Sequence, residues 1–199
     1  MLAYTIENEI RSAGYNFICG VDEAGRGPLC GPVTAAAVIL PDGLVIDGLN
    51  DSKKLTEAKR EKLFDVITSE AIAWSVASAS VEEINETDIL SAAMLAMRRA
   101  VESLSVPADF ALIDGNISRG FAIPTKTVIH GDAISPSIAA ASILAKVTRD
   151  RACYELDALY PEYGIAKHKG YATKDHMNAL RQYGPTRIYR TKFIRFLDK

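Results

Sequence analysis

An apolar run that closes on two adjacent acids and a glycine-bracketed arginine, Phe17-Ile18-Cys19-Gly20-Val21-Asp22-Glu23-Ala24-Gly25-Arg26-Gly27, constrains this chain more than any other stretch. Apolar and β-branched residues at this density favour a strand. A strand ending on Asp22-Glu23 mounts carboxylates on a rigid edge, which is what a precise site requires. Carboxylate oxygens suit hard divalent cations. Beside them Gly25 and Gly27 let the backbone approach a ligand closely, and Arg26 offers a fork of donors matched to phosphate. Taken alone, the same residues serve equally as a turn and cap.

Two familiar nucleotide motifs are excluded. The spacing Gly25-x-Gly27-x-x-x-Gly31 places its third glycine one position late for a dinucleotide fingerprint, and Val33–Leu40 reads as a second strand where that motif needs a helix. No G-x-x-x-x-G-K-[ST] occurs, which argues against a P-loop hydrolase.

With 199 residues and 48% hydrophobic content, the chain can bury a full core as one domain, 1–199, with a helix-and-loop extension over about 160–199. No apolar stretch reaches membrane-spanning length, and Met1–Glu9 lacks the basic start and apolar centre of a signal peptide. Cys19, Cys30 and Cys153 are odd in number and have no C-x-x-C spacing, so neither a disulfide framework nor a zinc site is indicated and a reducing cytoplasm is expected. The net charge of −2 is unevenly spread: residues 146–199 carry 12 Lys and Arg against 6 Asp and Glu, residues 1–145 carry 11 against 19. A basic C-terminal quarter beside an acidic body suits either a phosphate-binding surface or plain solvated helix faces.

Strands are predicted at Phe17–Val21, Val33–Leu40, Ala71–Ala79, Phe110–Ile113 and Thr125–Ile129, and helices at Thr56–Thr68, Val81–Leu104 and about Ser137–Cys153. Two early strands close together, then strands alternating with helices, predict an α/β architecture: a mixed sheet flanked by helices. Two more aspartates stand where strands give out. Asp114 ends Phe110-Ala111-Leu112-Ile113, and Asp132 follows Val128-Ile129-His130-Gly131. Ligands gather at the carboxyl ends of strands in such sheets, so Asp22, Glu23, Asp114 and Asp132 are a candidate metal cage, though each alone also fits a turn or a helix start. The chemistry that needs such a cage is in-line displacement at a phosphodiester. His130, His168 and His176 lack H-x-x-x-H spacing and read as packing or surface residues.

At this point the sequence resembles a known family, the type 2 ribonucleases H or ribonuclease HII enzymes. The matching stretches are Gly20–Leu29, Leu49–Leu55, Ile113-Asp114-Gly115, Gly131-Asp132-Ala133, Ala139–Asp150 and His168-Lys169-Gly170-Tyr171, in order and over nearly the whole chain. The resemblance implies a ribonuclease H-like fold. It also implies an endonuclease acting on RNA within RNA–DNA hybrids and on single ribonucleotides embedded in duplex DNA, cutting on their 5′ side to leave 3′-OH and 5′-phosphate ends with two divalent ions, Mg²⁺ or Mn²⁺. By the same resemblance Asp22, Glu23, Asp114 and Asp132 are the metal ligands, and Gly25, Arg26 and Gly27 a loop whose backbone reads the ribonucleotide 2′-OH. Tyr171 would stack on the following sugar and touch that hydroxyl, and Ser52, Lys53, Lys54, Ser142 and Lys146 would contact phosphates. Only the 2′-OH distinguishes RNA from DNA at one position, and phosphate contacts position without specifying.

The chain departs from the common pattern at Ala172, where proline is frequent, and at Tyr189-Arg190-Thr191-Lys192-Phe193, a segment that usually starts with histidine. The ending Phe193-Ile194-Arg195-Phe196-Leu197 weakly suggests a sliding-clamp peptide but lacks its glutamine; packing against the core is expected. A type 3 ribonuclease H would carry an extra N-terminal domain, whereas 21 residues precede Asp22. A non-catalytic hybrid-binding module would not need four intact acids, and a small-molecule phosphatase would have no use for the basic C-terminal quarter.

Overall fold

The computed structural model describes residues 2–198. Five strands, β1 (Ile18–Ala24), β2 (Val33–Ile39), β3 (Ala73–Ala79), β4 (Phe110–Asp114) and β5 (Thr125–Val128), form one sheet in the order β3-β2-β1-β4-β5. β2 runs antiparallel to both β1 and β3, while β4 and β5 run parallel to β1. The helices are α1 (Thr5–Ser12), α2 (Glu57–Glu70), α3 (Val81–Glu86), α4 (Ile89–Glu102), α5 (Pro136–Leu159), α6 (Ile165–His168) and α7 (Lys174–Tyr183). This is the mixed, helix-flanked sheet expected from the order of the elements.

Both faces of the central strands are covered, which is why β2 (VTAAAVI) is buried at every position and shows no polar alternation. Cys19, Val21, Ala35 and Ala37 face α4, packing with Ala92, Ala96 and Met97. Ala36 and Val38 face the opposite layer, against Leu63 and Ile67 of α2 and Ala140, Ala141 and Leu144 of α5. Gly20 sits on that second face. A Cβ there would lie 2.1 Å from the Ser137 carbonyl carbon, so the first turn of α5 rests directly on the backbone of β1.

The helix predicted over Val81–Leu104 is two helices. Ser80 opens α3 with a capping box to Glu83, and the backbone leaves helical geometry at Thr87 and Asp88. The Asp88 side chain then accepts from the N–H groups of Leu90 and Ser91 and starts α4 afresh. A short polar side chain that can satisfy two orphan donors competes with continuing the helix, and the alanine stripe of α4 gave no hint of this. Beyond α5, the extension packs through Leu29, Cys30, Cys153, Tyr163, Leu180 and Ile194. Phe193, Phe196 and Leu197 lie partly buried against that cluster, as expected for the tail. Among the described residues no helix is long and apolar enough to cross a membrane.

Helix α1 was not foreseen. It docks through Glu7, which is fully buried. One carboxyl oxygen of Glu7 accepts from the Ser135 hydroxyl (2.6 Å) and the Ser137 N–H (3.2 Å), at the start of α5. Acidic groups are favourable at a helix N-terminus, where donors are unsatisfied. Glu7→Ala is therefore expected to destabilise the protein by about 2 kcal/mol through unpaired buried donors, lowering Tm by roughly 4–8 °C for a chain of this size. A thermal melt showing no shift would rule out this anchoring role.

Candidate active site

The register of β1 with β4, Val21 opposite Ile113, brings the next residues, Asp22 and Asp114, side by side at the carboxyl edge of the sheet. Glu23 follows on β1, with its neighbours Val21 and Cys19 facing α4. After β5 a tight turn, Gly131–Ala133, carries Asp132. The Gly131 N–H donates to an Asp114 oxygen at 2.7 Å, which ties this turn to the end of β4. Across the opening, the turn Ser52–Lys54 is capped by Asp51, whose side chain accepts from the Lys53 N–H. Arg60 fastens the turn from α2 by donating to the carbonyls of Ser52 and Leu55. On α5, Ser142 and Ser52 share a hydroxyl hydrogen bond of 2.8 Å.

These elements surround a cavity of about 470 Å³, and the expected residues Asp22, Glu23, Gly25, Arg26, Gly27, Ser52, Lys53, Ser142, Lys146 and Tyr171 all line it. Asp132 joins through Lys53, whose ammonium is 3.7 Å away. Lys54 does not line it: it is exposed and turns to Asp51 at 3.8 Å. Lys146 is held by Asp150 at 2.6 Å. Ile89, Arg149 and Phe193 also line the cavity. Arg149 falls within the matching stretch Ala139–Asp150 and Phe193 within the segment Tyr189–Phe193, but the sequence assigned neither of them, nor Ile89, to the cleft. His168 and His176 lie elsewhere, buried and stacked on each other with ring centroids 4.1 Å apart.

Electrostatics mark this as a site short of positive charge. The Asp22 carboxyl is pushed well above the usual carboxylate range, first by burial and then by the charges of Glu23 and Asp114, with the Ser142 hydroxyl pulling the other way. Burial raises Glu23 against the opposing pull of Arg26, 3.1 Å away. Burial raises Asp132 as well, helped by Asp114 and by Asp51, a fifth acid that sequence reasoning left out. Lys53 is held above its usual value because Asp132, Asp22, Asp51 and Asp114 outweigh the effect of its burial.

Among the described residues, no three acidic, histidine or cysteine side chains converge tightly enough to hold an ion as they stand. Arg26 and Lys53 take up part of the negative charge instead. The donor set nevertheless fits a hard divalent cation: it is all carboxylate, and Asp22, Glu23 and Asp132 are raised in pKa first by burial and then by neighbouring acids, a cost that a bound cation would relieve.

Comparison with known proteins gives this geometry its context. The profile of the family described as Ribonuclease HII matches residues 19–196. The chain is 56% identical over 187 residues to a ribonuclease HII of Desulfitobacterium hafniense (strain DSM 10664 / DCB-2), spanning 94% of this chain and 72% of that protein. It is 57% identical over 176 residues to one from Azoarcus sp. (strain BH72), spanning 88% and 86%. Its fold is similar to the crystal structure of ribonuclease H2 from Pyrococcus horikoshii OT3, with a TM-score of 0.74 and 26% identity over 92% of this chain and all of the other. An acid-ended pair of parallel strands, a five-stranded sheet in this order and a match along almost the whole sequence lead to one conclusion: the chain belongs to the ribonuclease HII family, metal-dependent endoribonucleases that cut the RNA strand of RNA–DNA hybrids.

Proposed function

We propose that this protein hydrolyses RNA within RNA–DNA duplexes and also cuts 5′ to a single ribonucleotide embedded in duplex DNA, using two divalent ions, Mg²⁺ or Mn²⁺, and leaving 3′-OH and 5′-phosphate ends. The observation that carries this reading is the gathering of Asp22, Glu23, Asp114 and Asp132 at and just beyond the carboxyl edge of the sheet, beside a cleft lined by Asp22 and Glu23, by the cations Arg26, Lys53, Lys146 and Arg149, and by a glycine-bracketed loop. Asp22, Glu23, Asp114 and Asp132 are the residues that would hold the ions, which when bound supply an activated water and stabilise the leaving oxygen.

The protein's own groups divide the remaining work. Lys53 and Lys146 offer ammonium groups to backbone phosphates, and Ser52 and Ser142 offer hydroxyls, all on elements fixed by Arg60 and Asp150. Lys54, turned away from the cavity, would meet phosphate farther along the duplex. Gly25, Arg26 and Gly27 would present backbone N–H groups to the ribonucleotide. Tyr171 is half-exposed, and its ring comes so close to Gly27 that a Cβ there would meet it at 3.2 Å. A half-exposed ring this close to the loop supports the reading in which Tyr171 stacks on a sugar while the loop tests for its 2′-OH.

If the acids act through metal, Asp22→Asn should reduce cleavage of an all-RNA hybrid more than a hundredfold, since a metal contact is worth several kcal/mol. The same change should leave metal-free stability unchanged or raised. An acid whose folded pKa is raised binds protons more readily folded than unfolded, so its cost to stability appears as pH rises past the unfolded value and is absent in acid. The stability gain of Asp22→Asn should accordingly show at neutral pH and fade at low pH. Activity above about a tenth of wild type would count against the assignment.

Substrate choice supplies a second test. Tyr171→Ala should cost about 1–3 kcal/mol of stacking, and more on a duplex with one ribonucleotide than on an all-RNA hybrid. Tyr171→Phe should retain more activity than alanine on the former. Equal losses on both substrates would show that Tyr171 does not read the junction.

A further inference from the structure

Two walls of the cleft, the loop around Gly25-Arg26-Gly27 and the Tyr171 segment, belong to distant parts of the chain, and a third part joins them. The stretch Ile188–Arg190 lies against Leu29–Gly31 like a short extra strand. The Gly31 N–H donates to the Ile188 carbonyl, the Arg190 N–H to the Leu29 carbonyl, and Cys30 pairs with Tyr189. Leu29 in turn donates to the carbonyl of Gly170, the residue before Tyr171.

Arg190 is fully buried, and among the described residues its hydrogen bonds go to carbonyl oxygens and it forms no ion pair with a carboxylate. Its guanidinium donates to the carbonyls of Gly25 (2.7 Å), Arg26 (3.1 Å), Pro28 (2.8 Å), Gly31 (3.0 Å) and Pro32 (3.1 Å). In a trans peptide the C=O and the following N–H point in opposite directions. With the oxygens of Gly25 and Arg26 turned in on Arg190, the N–H groups of Arg26 and Gly27 are turned out on the cleft side, and among the described residues neither has a protein acceptor. The left-handed φ of +100° at Gly25 permits this turn, and the Arg149 side chain closes the space a Cβ would need there.

The adjacent residue serves the other wall. The Tyr171 carbonyl can only accept, so His176 must donate to it from Nδ1, which leaves Nε2 to accept from the Tyr189 hydroxyl at 2.9 Å. Tyr189 thereby pairs with the remaining ring nitrogen and steadies the imidazole that holds the Tyr171 backbone.

We propose that the dipeptide Tyr189-Arg190 is a positioning brace: Arg190 turns the N–H groups of the Gly25–Gly27 loop toward the substrate, and Tyr189, through His176, fixes Tyr171 opposite them. Neither residue touches the reacting atoms. The substrate part of this inference rests on the reading under Proposed function.

The test uses Arg190→Lys, which keeps the charge but cannot reach five carbonyls, and Tyr189→Phe, which removes only the hydroxyl. Both are compared with wild type in steady-state kinetics on a single-ribonucleotide duplex and an all-RNA hybrid, with hydrogen exchange followed at the amides of Leu29, Gly31 and Tyr171. A lost hydrogen bond corresponds to about three- to tenfold. Each variant should therefore raise KM by about that factor and lower the ratio of single-ribonucleotide to hybrid cleavage, with kcat on the hybrid little changed. Exchange should quicken at the three loop amides and not in β1 or β4.

Wild-type KM and substrate ratio in both variants would overturn the brace, as would an equal fall in kcat on both substrates with KM unchanged, or exchange that quickens uniformly. Should Arg190→Lys not fold, Tyr189→Phe decides alone. A wild-type enzyme unable to cut the single-ribonucleotide duplex would remove the proposed substrate reading, while KM on the hybrid and the loop exchange would still judge the brace.

Discussion

The arrangement depends on one close approach, that of α5 to β1 at Gly20. Because this position has no side chain, the turn at Ser137–Ile138 sits on the strand backbone and the two elements run alongside each other. From there the helix rises about 7.5 Å over the five residues to Ser142, and the strand about 6.7 Å over the two residues to Asp22. The two advances nearly match, so the Ser142 hydroxyl arrives at the Asp22 carboxyl. Lys146 and Arg149 follow on the next turns of the same helix and reach the same cavity. Any side chain at residue 20 would lift α5 and separate the acids from the polar groups that complement them.

The cleft is built from two opposite charge problems. At the sheet edge, acids are crowded and partly buried, and Lys53 and Arg26 offset some of their repulsion. A few residues away, Arg190 is buried with carbonyl oxygens as its hydrogen-bond partners, and burial pulls its pKa down to about 10, still far above neutrality. Burying an ion is costly unless its hydrogen bonds are met, and here a folded loop meets them with its own backbone. The shape of that loop and the charge of the arginine are thus mutually dependent.

Much of the site could be seen in the sequence because its chemistry is local. Asp22-Glu23 at a strand end, Asp114 after a four-residue apolar run and Asp132 before an alanine-rich helix are each visible within a few residues. The ribonuclease HII resemblance joined them. The break at Thr87-Asp88 was not visible, since the apolar periodicity runs across it and the cap that wins is a side-chain choice. Helix α1 was missed for a related reason: at eight residues it is too short to stand on its own propensity and is anchored by Glu7 reaching Ser135 and Ser137, well over a hundred positions away.

By itself the sequence determined the order and type of the strands, the identity of the acidic residues and the presence of a glycine-bracketed arginine between them, because hydrophobic period and turn chemistry act over a few residues. Only the tertiary structure decided that Asp22 and Asp114 stand side by side, that Lys54 turns away while Lys53 faces Asp132, that Asp51 joins the acids, and that Arg190 holds the loop at Gly25. Each of these is set by strand register or by a hydrogen bond between residues far apart in the chain, and neither leaves a mark on any local pattern.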